Sequence, residues 1–468
     1  MDCDLAIVGS GAAGFAAAIA ARRRGLVVVM VEQGVPGGTC VNVGCVPSKA
    51  LLAAVGSLTA GPARGRFPGV GGAIGSVDFA ELVAGKDLLV GELRAEKYIG
   101  LVAELGWEII EGRARFESGP RLWVEGADVR VRAEHYLVAT GSVPRIPAVV
   151  GVDEVASLTS ATAMELGELP GSLLVVGGGY VGLEQAQLFA RLGVEVTVVE
   201  ARDRVVAGEE PEVSAAIERV LVEEGVAVRT GVEVRRMWSD AGHVVAVVDD
   251  GSGVEGEVRA QRVLFAAGRR PASGAMGLAE IGVALGPAGE VVVDGYLRTS
   301  APRVWAAGDV TGHPAFVYVA ASEGALAVDN AFGPDQKEVD FWGLPRVMFT
   351  SPSVASAGLT EEQAAAQGVE CESRVLPLDM VPRAIVNRDT RGLVKLVAER
   401  GSGRLVGAHV VAEGAGEVVA AAGYALRSGM TVADVAGMWC PYLTMAEGLK
   451  LAAQMFDRDV SRLSCCSP

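Results

Sequence analysis

Residues 5–14 read LAIVGSGAAG and residues 173–182 read LLVVGGGYVG. Each is an apolar run closing on glycines spaced G-x-G-x-x-G: Gly9, Gly11 and Gly14 in the first, Gly177, Gly179 and Gly182 in the second. The first continues through an alanine-rich stretch to the run VVVMV and Glu32. The second continues through a helical stretch to Leu192, then VEVTVV and Glu200. All four key positions (9, 11, 14 and 32) recur displaced by the same 168 residues. This pattern predicts strand, glycine turn, helix, strand and terminal carboxylate, twice over. The first glycine serves the tight turn, the second lets backbone N–H groups approach a pyrophosphate, and the third packs helix on strand. The carboxylate accepts the ribose hydroxyls. One such turn is weak evidence; the repeat gives it weight.

Two dinucleotides are therefore expected, and a chain that holds two usually passes a hydride from a nicotinamide to a flavin. The expected fold class is α/β, with two Rossmann-like dinucleotide-binding domains, one for FAD and one for NAD(P). Segments 135–147 (HYLVATGSVPRIP) and 262–271 (RVLFAAGRRP) follow the two units with one grammar, and read as crossings between domains. They supply Thr140, Gly141 and Gly268 as cofactor-binding candidates. Segment 299–312 (TSAPRVWAAGDVTG) sets a strand before Gly308 and Asp309, a carboxylate suited to a flavin side-chain hydroxyl. Beyond about residue 345 the glycine turns stop, and two apolar runs, LVKLVAE and RLVGAHVVA, precede alanine-rich helices. The predicted boundaries are 1–148 with 273–345 for the FAD domain, 149–272 for the NAD(P)H domain, and 346–468 for a third, differently built domain.

The chain has 468 residues, half of them apolar, enough for several cores. A formal charge of −16 argues against a nucleic-acid or anionic-membrane partner, because either would repel the surface. Met1 runs directly into Asp2, Cys3 and an apolar strand, and the runs Leu26–Val31 and Leu173–Val176 fall short of the roughly 20 residues of a membrane span. A cytoplasmic enzyme is the expectation. Seven cysteines are too few for a disulfide framework, so a close pair points to catalysis or metal binding.

Such a pair lies in GGTCVNVGCVPSK (37–49), where Cys40 and Cys45 are followed by Lys49. An irregular helix start would bring the two sulfurs within bonding range. Lys49 reads either as a solvated helix lysine or as a charge beside a cofactor. The segment, with Gly38 and Thr39 as further cofactor contacts, resembles the redox motif of the pyridine nucleotide-disulfide oxidoreductase family, and the resemblance spans nearly the whole chain. It implies that 346–468 is a C-terminal α+β dimerisation (interface) domain, and a homodimer with its active site shared between subunits. It implies Cys45 facing the flavin as a charge-transfer thiolate, with Cys40 exchanging with substrate. Lys49 and Glu184 would pair beside the isoalloxazine, and Asp309 would hold the ribityl chain.

One departure bears on substrate. Family members that reduce organic disulfides carry a histidine five residues before a glutamate near the C-terminus. Here CPYLTMAEGLK (440–450) keeps Glu447 but has Tyr442 at the histidine position. A phenol with pKa near ~10 is a poor general base at neutral pH. The chain ends SRLSCCSP, presenting vicinal Cys465 and Cys466, whose thiolates suit a soft metal ion. Together with VPRAIVNRDTRGLVKLV (381–397) and PYLTMAEGLKLAAQMF (441–456), these features resemble the branch of the family that reduces Hg(II) to Hg(0). The resemblance implies a thiol complex of Hg(II) as substrate, Cys465 and Cys466 handing metal to Cys40 and Cys45 of the partner, and Tyr318 and Tyr442 lining the metal site. A disulfide reductase with an altered base is the second reading. A metal-sequestering protein with a vestigial flavin fold is the third. For the coenzyme, Glu200 favours NADH, while Arg202 and Arg204 leave NADPH open.

Overall fold

The computed structural model describes residues 1–63, 77–119, 121–251 and 255–458. The first glycine unit folds as expected: strand Asp2–Val8, helix Ala12–Arg23, strand Val28–Glu32. Asp2–Val8 pairs in parallel with Val28–Glu32 on one side and with Val129–Val138 on the other. Glu108–Glu111 and Val304–Ala306 extend the parallel sheet at its two sides. Ile7 and Met30 face the helix side of this sheet and Ala6 the side covered by strands Arg113–Glu117 and Arg121–Glu125, so all three are fully buried, as a continuous apolar run requires.

The second unit repeats this arrangement. Strand Ser172–Val176 lies between Glu195–Glu200 and Arg262–Phe265, with Ala227–Thr230 and Ser157–Thr159 outside them, all parallel. Helix Tyr180–Arg191 follows its glycine turn. Each unit also carries an antiparallel excursion, after Glu108–Glu111 in the first and after Ala227–Thr230 in the second. In the first it is the hairpin Arg113–Glu117 with Arg121–Glu125, which leads into Val129–Val138; in the second it is Glu233–Asp240, His243–Asp249 and Glu255–Ala260. The two crossing segments meet as a small antiparallel ladder, Ser142–Pro144 with Arg269–Pro271.

The C-terminal part is built differently, as its sequence indicates. Five antiparallel strands run in the order Arg346–Met348, Ser353–Gly358, Leu405–Ala412, Leu393–Glu399, Cys371–Pro377. Helices Ala415–Arg427 and Glu447–Gln454 pack on this sheet, burying Val418, Val419, Leu449 and Ala452 against it.

The cysteine segment lies in the crossover between Val28–Glu32 and Glu108–Glu111. It forms the short helix Gly38–Asn42, breaks at Val43 and Gly44, and resumes as Cys45–Ala63. By length and composition Gly38–Leu58 could cross a membrane. It is instead broken in the middle and anchored to the second unit through Lys49, so it reads as a wall of the site described next.

Candidate active site

Two clefts open at the carboxyl ends of the parallel strands, where open α/β sheets bind ligands. In both, the glycines behave as the spacing predicts. Gly9 has φ +101° and Gly177 +114°, a region that side chains rarely adopt. A Cβ on Gly14 would lie 2.2 Å from the Gly9 carbonyl oxygen, and one on Gly182 would lie 1.9 Å from that of Gly177. The helix therefore docks on the turn only with glycine there. The middle glycines, Gly11 and Gly179, face open space, with nothing within 4 Å of a Cβ position. That is where a pyrophosphate would pass over the helix N-terminus.

Glu32 and Glu200 close the two strands in matching ways. Glu32 accepts from Ser10 N (2.9 Å), Ser10 Oγ (2.6 Å) and Gly34 N (2.7 Å). Glu200 accepts from Gly178 N (2.6 Å) and Arg202 N (2.8 Å). Near Glu32, the Thr140 hydroxyl oxygen is buried without a protein partner in a cavity that both residues line. An orphaned hydroxyl beside a carboxylate at a strand end leaves polar groups free for the hydroxyls of an adenosine there. Arg204 is tied to its own loop through Ala207 O (3.0 Å), whereas the exposed Arg202 borders the second cleft.

The first cleft, of about 220 Å³, brings together Gly11, Cys40, Cys45, Lys49, Glu184 and Asp309. Lys49 Nζ lies 2.6 Å from Glu184 Oε2, across 135 residues of sequence. The carboxylate comes from the second unit's helix, and its other oxygen accepts from Phe349 N (2.8 Å), on the C-terminal part. The three parts of the chain thus meet at one ion pair. Asp309 accepts from Ser142 Oγ (2.5 Å), which in turn accepts from Arg269 Nε (2.7 Å). Gly141 and Gly308 line the same cleft, Gly308 with φ +79°. Gly268 borders the second cleft, while Gly38, with φ +66°, packs against the turn so closely that a Cβ there would lie 2.5 Å from the Gly11 Cα.

Cys40 and Cys45 are both free thiols, adjacent to each other at the break between their helices. A hydrogen bond from Cys40 pulls Cys45 down to about 6, against burial, and Lys49 adds to the lowering. Cys40 moves the opposite way, well above the ordinary thiol range, because it keeps the shared proton and is itself buried. The pair is a thiolate with its own acid beside it.

Tyr318 stands close enough to Cys45 to feel its charge, and burial pushes its phenol up to about 12. Its hydroxyl donates to Pro345 O and its ring stacks on Phe316, centroids 5.3 Å apart. Tyr442 is more than half exposed on the C-terminal part. Burial raises the pKa of Glu447, whose Oε2 has no partner. Among the described residues of one chain, no contact joins Tyr442 or Glu447 to the cysteine pair. Cys465 and Cys466 lie outside the described residues.

Residues 3–324 match the model of the pyridine nucleotide-disulphide oxidoreductases, and residues 344–453 match the dimerisation domain of that group. The chain belongs to this family. A mercuric reductase of Streptomyces lividans is 56% identical over 99% of this chain and 98% of its own length. One from Staphylococcus aureus is 45% identical over 100% of this chain and 84% of its own. Among solved structures, the Cu(II) complex of the HOCl-induced flavoprotein disulfide reductase RclA from Escherichia coli superposes with a TM-score of 0.87. It is 27% identical and covers 97% of this chain and 99% of that one. LpdA from Mycobacterium tuberculosis gives 0.86 at 26% identity, covering 97% of this chain and 100% of that one. The fold class expected from sequence is the one found. As a member of this family the chain works with FAD and NAD(P)H, and its two clefts fit them: each offers an open glycine cradle and a terminal carboxylate.

Ser142, Arg269 and Phe349 were not legible in the sequence. Ser142 and Arg269 are contiguous with motifs that were read, Thr140–Gly141 and Gly268, and that adjacency was the available signal. Nothing local marked Phe349.

Proposed function

We propose that this chain is a mercuric reductase, an FAD-dependent NAD(P)H:Hg(II) oxidoreductase that converts Hg(II) to Hg(0). The carrying observation is a reduced dithiol with one acidic member, beside an ion pair, in a chain 56% identical over its full length to a protein of that name. FAD is assigned to the first cleft, through Gly9, Gly11, Gly14, Glu32, Gly38, Thr39, Thr140, Gly141, Gly308 and Asp309. NAD(P)H is assigned to the second, through Gly177, Gly179, Gly182, Glu200 and Gly268. NADH is favoured, because Glu200 repels a 2′-phosphate. The FAD domain comprises 1–148 and 273–345, a division supported by the return of Val304–Ala306 to the first sheet. Residues 149–272 form the coenzyme domain and 346–468 the interface domain.

Bound FAD supplies the two-electron link between the coenzyme and the thiol side of the cleft. Lys49, held by Glu184, places a fixed positive charge there. Cys45, already a thiolate at neutral pH, binds a soft cation without first losing a proton, and Cys40 completes a two-sulfur site. Hg(II) arrives as a complex with external thiols, is taken up by Cys465 and Cys466, and passes to Cys40 and Cys45 of the partner by ligand exchange. Tyr318 and Tyr442 line this path. In the overall reaction NAD(P)H loses a hydride, Hg(II) gains its two electrons, and the two thiolates that held the metal leave as thiols, so that NAD(P)H, the Hg(II)–dithiolate complex and one proton give NAD(P)+, Hg(0) and two thiols. A tyrosine at 442, where family members that reduce organic disulfides carry a histidine base, favours metal over disulfide.

The test compares coenzyme oxidation driven by thiol-bound Hg(II), by lipoamide and by glutathione disulfide. Only the first is expected to support turnover; turnover with a disulfide and none with Hg(II) sinks the reading. C465A/C466A is expected to leave coenzyme-driven flavin bleaching intact and to cripple turnover of thiol-bound Hg(II). Unchanged mercury volatilisation in that variant removes the tail from the mechanism.

A further inference from the structure

Glu184, Gln185 and Gln187 are the buried polar residues of helix Tyr180–Arg191. Two of them are fully engaged. Glu184 has one oxygen on Lys49 Nζ and the other on Phe349 N. Gln187 donates to Glu224 Oε2 (3.1 Å) and Ser351 O (3.0 Å) and accepts from Ser351 N (2.8 Å). Gln185 is the exception: it is 2% exposed, and its Oε1 is buried with no partner. Its place on the helix sharpens the anomaly. Residues 181, 185, 188 and 192 fall on one stripe at helical spacing, and Leu188 and Leu192 of that stripe pack with Leu51, Val55 and Met164 in an apolar cluster. An apolar side chain would suit position 185 as well, without the cost of a desolvated, unpaired amide. A buried polar group left unpaired in the wall of a cleft points to a ligand that pairs with it.

The same helix runs from one cleft to the other. Gly179 and Tyr180 at its start line the second cleft, whereas Val181, Glu184 and Gln185 line the first. A coenzyme whose pyrophosphate lies at Gly179 therefore reaches the flavin with its nicotinamide end along the first turns of this helix. We propose that Gln185 is a binding residue for the nicotinamide carboxamide. Two primary carboxamides pair through two N–H···O bonds, each supplying one donor and one acceptor. The Gln185 group turns about its last torsion at small cost, so that both of its ends can serve the cleft. Its neighbour Glu184 already has each oxygen engaged, which leaves Gln185 to meet the coenzyme. The proposal rests on the assignment of FAD to the first cleft and of the coenzyme's ADP half to the second.

The test measures binding to the oxidised holoenzyme by calorimetry with three ligands. NAD+ carries the carboxamide, its 3-acetylpyridine analogue has a methyl group in place of the amide NH2, and ADP-ribose has no pyridine ring. Wild type should bind NAD+ about tenfold more tightly than the analogue, which leaves the Gln185 oxygen unpaired. Q185M, which keeps the side-chain length and suits the apolar stripe, should melt no lower than wild type. It should bind NAD+ about tenfold more weakly and lose the preference for NAD+ over the analogue. ADP-ribose should bind both proteins alike. A preference that is missing in wild type, or that survives in Q185M, overturns the inference, as does an equal weakening of ADP-ribose; all three leave the cleft assignments standing. ADP-ribose that binds neither protein removes the assignment of the second cleft and the inference together.

Discussion

The two glycine units share strand order, turn geometry and terminal carboxylate, yet differ in what their crossovers carry. Between Val28–Glu32 and Glu108–Glu111 the first unit inserts the broken helix with Cys40, Cys45 and Lys49. Between Glu195–Glu200 and Ala227–Thr230 the second carries Glu209 and Glu210, almost fully buried at 5% and 2% exposure. Glu209 accepts from Tyr180 OH (2.5 Å) and lies 3.5 Å from Arg346 and 3.6 Å from His409. Glu210 pairs with the fully buried Lys395 (3.0 Å), which also meets Glu361 (2.6 Å) and Glu212 (2.9 Å). Arg346, Lys395, Glu361 and His409 all belong to the C-terminal part. One frame thus has two uses: the first crossover carries the residues to which the proposed chemistry is assigned, and the second fastens its unit to the rest of the chain.

The sharpest way to break this division is to remove each crossover's defining group. Cys45→Ser should lower Hg(II)-dependent turnover by at least about a thousandfold, equivalent to roughly 4 kcal/mol of barrier, while the fold melts as wild type. Lys395→Met should do the reverse. It leaves carboxylates uncompensated beside a buried site and should cost about 3 kcal/mol in urea unfolding, with the Cys45 chemistry intact in the folded fraction. Equal loss of turnover in the two folded variants would erase the distinction.

The latch should also have a pH signature. Burial acts to raise the Glu209 carboxyl, but His409, Arg346 and Tyr180 outweigh it and hold it at about 2, below its ordinary 4.5. A group depressed on folding contributes stability above its unfolded value and loses it as pH falls. Wild type should therefore weaken relative to Glu209→Gln between about pH 4.5 and pH 2, with the gap between them constant above that window. Parallel melting curves throughout the window would contradict the assignment.

The frame itself can be split by paired substitutions. Gly14→Ala and Gly182→Ala each drive a Cβ into a turn carbonyl and should cost about 1–3 kcal/mol locally. Gly14→Ala should purify with reduced flavin content. Gly182→Ala should keep its flavin and show a raised KM for the coenzyme. Flavin loss from Gly182→Ala alone would reverse the cleft assignments. The smallest effect is expected at Glu200, where Glu200→Ala should shift the NADH-to-NADPH ratio of kcat/KM by about tenfold toward NADPH.

The sequence discloses the repeated frame because its signals are local: glycines within six residues, apolar runs, a carboxylate at each strand end. The C-terminal strands Leu393–Glu399 and Leu405–Ala412 were visible for the same reason. The cysteine pair was visible by spacing, although the break at Val43 and Gly44 that sets the sulfurs side by side was only anticipated as an irregular start. The Lys49–Glu184 pair spans 135 residues and came from resemblance alone. The latch joins residues as far apart as Glu209 and His409, and buried glutamates look like surface charge in a sequence. Phe349 was hidden because its partner Glu184 lies in another part of the chain.

The most direct test is the stoichiometry of the reaction itself. With thiol-bound Hg(II) as the electron acceptor under anaerobic conditions, mercury vapour and oxidised coenzyme should appear in equal amounts, and Cys40→Ala/Cys45→Ala should abolish both. Coenzyme oxidation without mercury vapour, or vapour that persists in the double variant, would contradict the account.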